Sequence, residues 1–177
     1  MATLIKIRQV VQDSWQLLEP TADGALPTIL PQGDVIVPLA LWQRDREKLL
    51  ARGGRLGVWL QSSEGPEAIA DDLAQFEVIA VSFPKFTDGR GYSTARLLRD
   101  RYGYRGEIRA IGDVQRDQLL YLSRCGFDAF SLKEGRDPQA ALSAFSDFSE
   151  AYQGAVGQPL PLFRRRFANA PDGMEWS

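Results

Sequence analysis

Residues 78–99 read VIAVSFPKFTDGRGYSTARLLR, and this stretch decides the fold. Its first six residues are almost wholly apolar and rich in β-branched side chains, the pattern of a strand covered on both faces. From Ser93 to about Tyr102 the residues take up a helical pattern. The connection between the two is short and carries Lys85, Asp88, Gly89, Arg90, Gly91 and Tyr92. A buried strand, a glycine-bearing turn and a helix make one βα unit.

The same alternation continues on both sides. Upstream, residues 34–37 read as a strand, Pro38 opens a helix, and Gly53-Gly54 stops it. Leu56–Leu60 is the next strand, and Gly65-Pro66 starts a helix in which Ile69 and Leu73 share one face. Downstream come a strand at residues 107–111 and a helix at residues 114–124 with Asp113 as its expected N-cap. A last strand at residues 127–132 and a helix opened by Asp137-Pro138, carrying Leu142, Phe145, Phe148 and Tyr152, complete the series. Five strand–helix repeats with short connections imply parallel pairing. The expected fold is therefore α/β, a five-stranded, mostly parallel sheet with helices on both faces. A partial (βα) barrel-like arrangement is the alternative, because strand order is not written in the alternation. Residues 4–18 read as two extended pieces broken near Asp13-Ser14, a hairpin at the sheet edge. The expected division is an N-terminal hairpin and linker over residues 1–32, an α/β domain over residues 33–153, and an extended tail over residues 154–177 bearing Arg164, Arg165 and Arg166.

Composition narrows the chemistry. At 177 residues, 44% apolar and 25% charged, the chain is long enough to bury a core and ordinary for a soluble domain. A pI near 5.3 argues against general nucleic-acid binding. No run of about 18 apolar residues indicates a membrane span, and the N-terminus lacks the pattern of a secretory signal. Cys125 is the only cysteine, which rules out an internal disulfide and suits a reducing, cytoplasmic compartment. There is no histidine, so no His general base, His-based triad or His-ligated metal can form from this chain alone. A cysteine-ligated iron–sulfur cluster is excluded as well, and no metal site is expected.

The candidate site is the connection itself. Between Lys85 and Arg101 five basic residues stand against two acidic ones, a local +3 in a chain of formal net charge −2. In parallel α/β sheets ligands bind beyond the carboxyl ends of the strands. Gly89 and Gly91 are expected to take positive φ and let the backbone approach a ligand. The helix that follows offers free N–H groups and a positive dipole end, with Arg96 expected in or near its first turn. Lys85, Asp88, Gly89, Arg90, Gly91, Tyr92, Ser93, Arg96 and Arg116 form the expected anion-binding set, Tyr92 being placed to hydrogen-bond the ligand. Lys85 and Asp113 are the candidate acid–base groups should the protein turn over a substrate. The phosphate motifs fail: Gly89-Arg90-Gly91 lacks the third glycine of a dinucleotide fingerprint, and no GxxxxGK[ST] occurs. No cofactor is evident, although a flavin or nicotinamide bound without the usual motif stays open.

Four stretches carry a resemblance: GDVIVPLALW (33–42), GRLGVWL (54–60), FPKFTDGRGYSTARLLRDRYGY (83–104) and AIGDVQRDQLLYLSRCGFDAF (110–130). Together they resemble an uncharacterised bacterial family encoded beside assimilatory sulfite reductase and often labelled an oxidoreductase of sulfite reduction. The resemblance implies a pathway rather than a chemistry, and no catalytic residues come with it. It suggests an accessory protein of sulfite reduction that binds a small oxyanion and the reductase or its electron donor, the latter through the basic tail. The alternative is a stand-alone enzyme, an oxidoreductase or lyase acting on a small anionic substrate. Neither reading involves nucleic acid or a membrane.

Overall fold

A computed structural model describes residues 2–85 and 87–146. Phe148, Tyr152 and the tail arginines 164–166 lie outside the described residues.

Eight strands form one sheet: β1 (Thr3–Lys6), β2 (Gln9–Gln12), β3 (Gln16–Leu17), β4 (Val35–Pro38), β5 (Leu56–Leu60), β6 (Val78–Phe83), β7 (Glu107–Gly112) and β8 (Ala129–Phe130). Their spatial order is β2-β1-β8-β7-β6-β5-β4-β3. Strands β3 to β8 are parallel neighbours in chain order, and β1 runs antiparallel to both β8 and β2. The helices are α1 (Leu39–Ala51), α2 (Arg90–Asp100), α3 (Leu119–Cys125) and α4 (Pro138–Ala141), with 3₁₀ segments at Pro66–Gln75, Arg116–Gln118 and Leu142–Phe145.

The sheet is curled into a half-barrel, and the chain's own length requires it. Laid flat, eight strands about 4.8 Å apart would separate the outer strands by roughly 34 Å. Only Asp13, Ser14 and Trp15 join β2, at one edge, to β3 at the other. Four residue steps reach no more than about 14 Å. The two edges must therefore approach each other, with the connecting residues as a short strap.

Sequential parallel strands joined by right-handed crossovers place every helix on the same face. The packing agrees. One apolar cluster joins Val35, Val37, Val58, Leu60, Ile79, Val81, Phe83, Ile108 and Ala110 of the sheet to Trp42, Ile69, Leu98, Leu122 and Phe145 of the helical segments. The second cluster holds strand residues only, Ile36, Trp59, Val78, Ala80 and Ile111, with Trp15 of the strap packed against it. The expectation of five strands with helices on both faces is thus corrected, and the barrel-like alternative fits. Alternation alone could not separate them, because inner-face residues such as Trp59 and Val78 are as apolar as those beneath helices.

The inner face is closed by the strap and by charge. Arg109, 3% exposed, lies between two acids: its Nε donates to Glu107 Oε1 and its Nη1 to Asp13 Oδ2, both at 2.8 Å. Lys6 Nζ reaches the other Glu107 oxygen at 2.7 Å. Trp59 Nε1 donates to the Leu18 carbonyl at 2.9 Å, and Trp15 lies under the Arg55 guanidinium. Buried charge persists only where it is paired in this way.

Two local expectations also shift. The edge hairpin exists, but it turns at Ile7-Arg8, both at positive φ (48° and 60°), rather than near Asp13-Ser14. That is the two-residue geometry normally given to Asn-Gly, so its sequence carries no turn signal. After β7 it is the 3₁₀ turn Arg116–Gln118, leading into α3, that is capped, and by the Gln115 and Gln118 side chains instead of Asp113. Asp137, by contrast, accepts the Gln139 N–H at 2.9 Å and caps α4 as expected.

Candidate functional site

The connections after β5, β6, β7 and β8 meet at the carboxyl end of the sheet. Register places Phe83 opposite Gly112, so the β6 and β7 connections start side by side. Gly112 sits at φ +92°, and a Cβ there would stand 2.5 Å from the Phe83 carbonyl oxygen; only glycine allows the two strand ends to lie so close.

Asp88 and Arg90 form the centre of the candidate site. Arg90 Nε donates to Asp88 Oδ1 at 3.0 Å and Nη2 to Oδ2 at 2.8 Å, the two-pronged geometry of a guanidinium–carboxylate pair. The Arg90 backbone N–H also donates to Asp88 Oδ1, at 3.2 Å. Ser62, 8% exposed and following β5, ties the neighbouring connection to this pair: its hydroxyl accepts from Arg90 Nη2 at 3.1 Å and bonds the Asp88 carboxylate. Arg90, and then the Ser62 hydroxyl, hold the Asp88 carboxyl far below the usual carboxylate range. Asp88 thus takes the place at the start of α2 where an anion would sit, and it steers the arginine. The side chain of Arg90 remains 63% exposed, and its Nη1 donates to nothing among the described residues. Lys85 is exposed beside this pair in sequence and makes no ion pair among the described residues. Counting Lys85, Arg90 and Asp88, the local balance is one positive charge.

The other expected residues are distributed differently. Gly89 caps α2 at φ −88°, and Gly91 likewise avoids positive φ, so neither supplies the left-handed backbone expected of it. Gly91 instead permits close packing, since a Cβ there would lie 2.7 Å from the Phe83 ring and 2.9 Å from Val81 Cγ1. Tyr92 packs its ring against Phe83 and Tyr121, with centroids 5.4 and 5.0 Å away. Its hydroxyl accepts from Gln118 Nε2 at 3.0 Å, and burial raises its pKa, the Gln118 bond opposing. Ser93 and Arg96 are exposed on α2. The helix begins at Arg90 rather than Ser93, so Arg96 lies in its second turn and is too far along to oppose the dipole. Arg116 Nη2 donates to Ser143 at 3.0 Å. Asp113 pairs with Lys133 Nζ at 3.2 Å and accepts from Gln115 Nε2 at 3.3 Å. The fold therefore unites Ser62, Asp88 and Arg90, gives Asp113 a cation from the β8 connection, and turns Arg116 toward Ser143.

Ser62 and Lys133 escaped the sequence reading because each is brought in from another connection. Their one signal is position, a few residues past the carboxyl end of a strand. Among the described residues no group of three or more His, Cys, Asp or Glu residues is placed to hold a metal ion, and no helix is long and apolar enough to cross a membrane.

Residues 57–163 match the family described as bacterial protein of unknown function (DUF934), and because the match spans well over half of the chain, the chain belongs to that family. The match takes in β5 from its second residue, β6 to β8, and all of the connections carrying Ser62, Asp88, Arg90, Asp113 and Lys133. No curated protein matches the chain.

Proposed function

We propose that this protein is a non-catalytic accessory of assimilatory sulfite reduction. In this reading it holds a small oxyanion at the carboxyl end of its sheet and docks on the reductase or its electron donor. The pathway rests on the resemblance carried by residues 33–130. The ligand rests on one observation: Arg90 is oriented by Asp88 and Ser62 while its Nη1 stays open, with the exposed Lys85 nearby. A guanidinium already fixed by a carboxylate loses little freedom when a ligand arrives, so even one charge-assisted contact is used efficiently. Sulfite, with three oxygens on a small centre, accepts from one guanidinium edge and one ammonium together.

Thermal-shift titration with sulfite, sulfate and phosphate tests the ligand, because an anion bound only to the native state stabilises it by mass action, about 2.7 kcal/mol at one hundred times its Kd. The expected result is a sulfite-dependent shift that the Lys85→Ala/Arg90→Ala double variant loses. Co-purification with sulfite reductase tests the partner. Absence of both effects overturns the proposal, and a flavin band in the absorption spectrum of the purified protein would overturn its non-catalytic part.

A further inference from the structure

Two neighbouring segments on the helical face carry opposite charge. Residues 61–77, which hold the 3₁₀ segment Pro66–Gln75, contain five acids and no base. Residues 90–105, which hold α2, contain five arginines and one acid. The segments lie side by side, because they follow the paired strands β5 and β6 and touch each other. Several of these charges are committed within the chain. Asp72 pairs with Arg46 and accepts the Trp42 Nε1–H, Glu77 pairs with Arg55, and Glu64 accepts the Gln61 N–H. Arg90 is held by Asp88, and Arg99 by Asp128 and three carbonyls. Glu67 and Asp71 remain on the first segment, and Arg96, Arg101 and Arg105 with Asp100 on the second. All six are exposed and make no ion pair among the described residues. The uncommitted balance is therefore −2 on one segment and, with three arginines and one acid, +2 on its neighbour.

Neighbours of opposite sign that do not neutralise each other are complementary to a rotated copy of themselves. A two-fold axis lays the acidic segment of one protomer on the basic segment of its partner, and the same pairing recurs on the other side. A foreign partner would have to carry both signs in matching order, whereas a second copy of this chain carries them by construction. Local periodicity gives the face a small apolar centre. Three residues per turn put Ala68, Asp71 and Ala74 in one exposed row of the 3₁₀ segment. Helix α2 buries Thr94, Ala95 and Leu98 but leaves Leu97 38% exposed, one turn before Arg101. The alanines let a partner approach closely, and Leu97 gains by leaving water. Ten 3₁₀ residues and eleven α-helical residues run for about 20 and about 16 Å. That footprint is at the small end of specific interfaces, where association is reversible.

We propose that this face is the interface of a reversible homodimer, with Arg96 and Arg101 of each protomer set against Glu67 and Asp71 of its partner. The pairing does not depend on a ligand at Arg90. Sedimentation velocity of the full chain over a concentration series tests it, at low and at high salt. Two charge-reversed variants accompany the wild type: Arg96→Glu/Arg101→Glu, which makes both segments acidic, and Glu67→Lys/Asp71→Lys, which makes both basic. The expected result is a wild-type dimer that high salt weakens, and a dissociation constant raised about tenfold or more in either variant alone. An equal mixture of the two variants should dimerise again, because each then meets the opposite sign on both sides of the axis. That recovery also shows that both variants are folded. A wild-type protein that stays monomeric throughout leaves the two segments to a foreign partner and overturns the proposal. Dimers indifferent to both reversals, or variants that stay apart when mixed, overturn it as well.

Discussion

Arg90 and Arg99 stand at opposite ends of α2 and do opposite things. Arg99, its side chain 10% exposed, gives its donors to the chain: Nε to the Gly126 carbonyl at 3.0 Å, Nη1 to those of Tyr104 and Gly106 at 2.9 and 2.8 Å, and Nη2 to Asp128 at 3.1 Å. Burial raises the pKa of Asp128, and Arg99 opposes it most, ahead of the Ile108 N–H and Lys6. Arg90 spends its donors on one aspartate and one serine and keeps an edge in water. The lesson is that a run of arginines in sequence measures charge, not availability. Availability depends on whether backbone carbonyls converge around the side chain, and at the amino end of this sheet they do.

The largest effect is expected at the buried arginine. Arg99→Ala should leave three carbonyls and Asp128 without their donor and cost about 3–5 kcal/mol, read as a fall in the denaturation midpoint. Arg90→Ala should cost far less in the same assay, because its guanidinium is 63% exposed and already in water. A large loss from Arg90→Ala would make that residue structural and remove the basis for a ligand there. Gly91→Ala separates packing from backbone freedom: pressing a methyl group into Phe83 and Val81 should cost about 1–3 kcal/mol. Ile7→Gly tests the hairpin turn, where relieving a β-branched residue at φ 48° should stabilise the protein by about 1 kcal/mol. The smallest effect is that of Asp88→Asn. Because the folded state lowers the pKa of Asp88, its contribution is present above the ordinary value of 3.8 and fades as pH falls below it. The wild-type and variant melting temperatures should therefore differ near pH 6 and converge in acid.

Much of this was legible where strands are buried on both sides. Leu56–Leu60 and Val78–Phe83 have the boundaries read from their apolar runs. Strand order was not legible, because neighbouring strands share one composition and only the strap's three residues reveal the curl. The charges of β7 were hidden for a related reason: Glu107 and Arg109 fall inside an otherwise apolar strand, and their partners Asp13 and Lys6 lie about a hundred residues away. At the candidate site Asp88 and Arg90 were visible as near neighbours in sequence, while Ser62 required the pairing of β5 with β6. Glycine misled where its role was packing rather than conformation, as at Gly91.

The strap has a kinetic consequence. Strand β1 pairs with β8, more than a hundred residues further along, and β3 pairs with β4 across a connection of more than a dozen. Both ends of residues 3–17 therefore wait for strands that come later in the chain. Contacts of such long range form slowly, because the loops must close before the pairing repays them. Docking of this first segment should be the late step of folding, and until then the two tryptophans Trp15 and Trp59 stay apart, so that their fluorescence reports the moment the barrel half shuts.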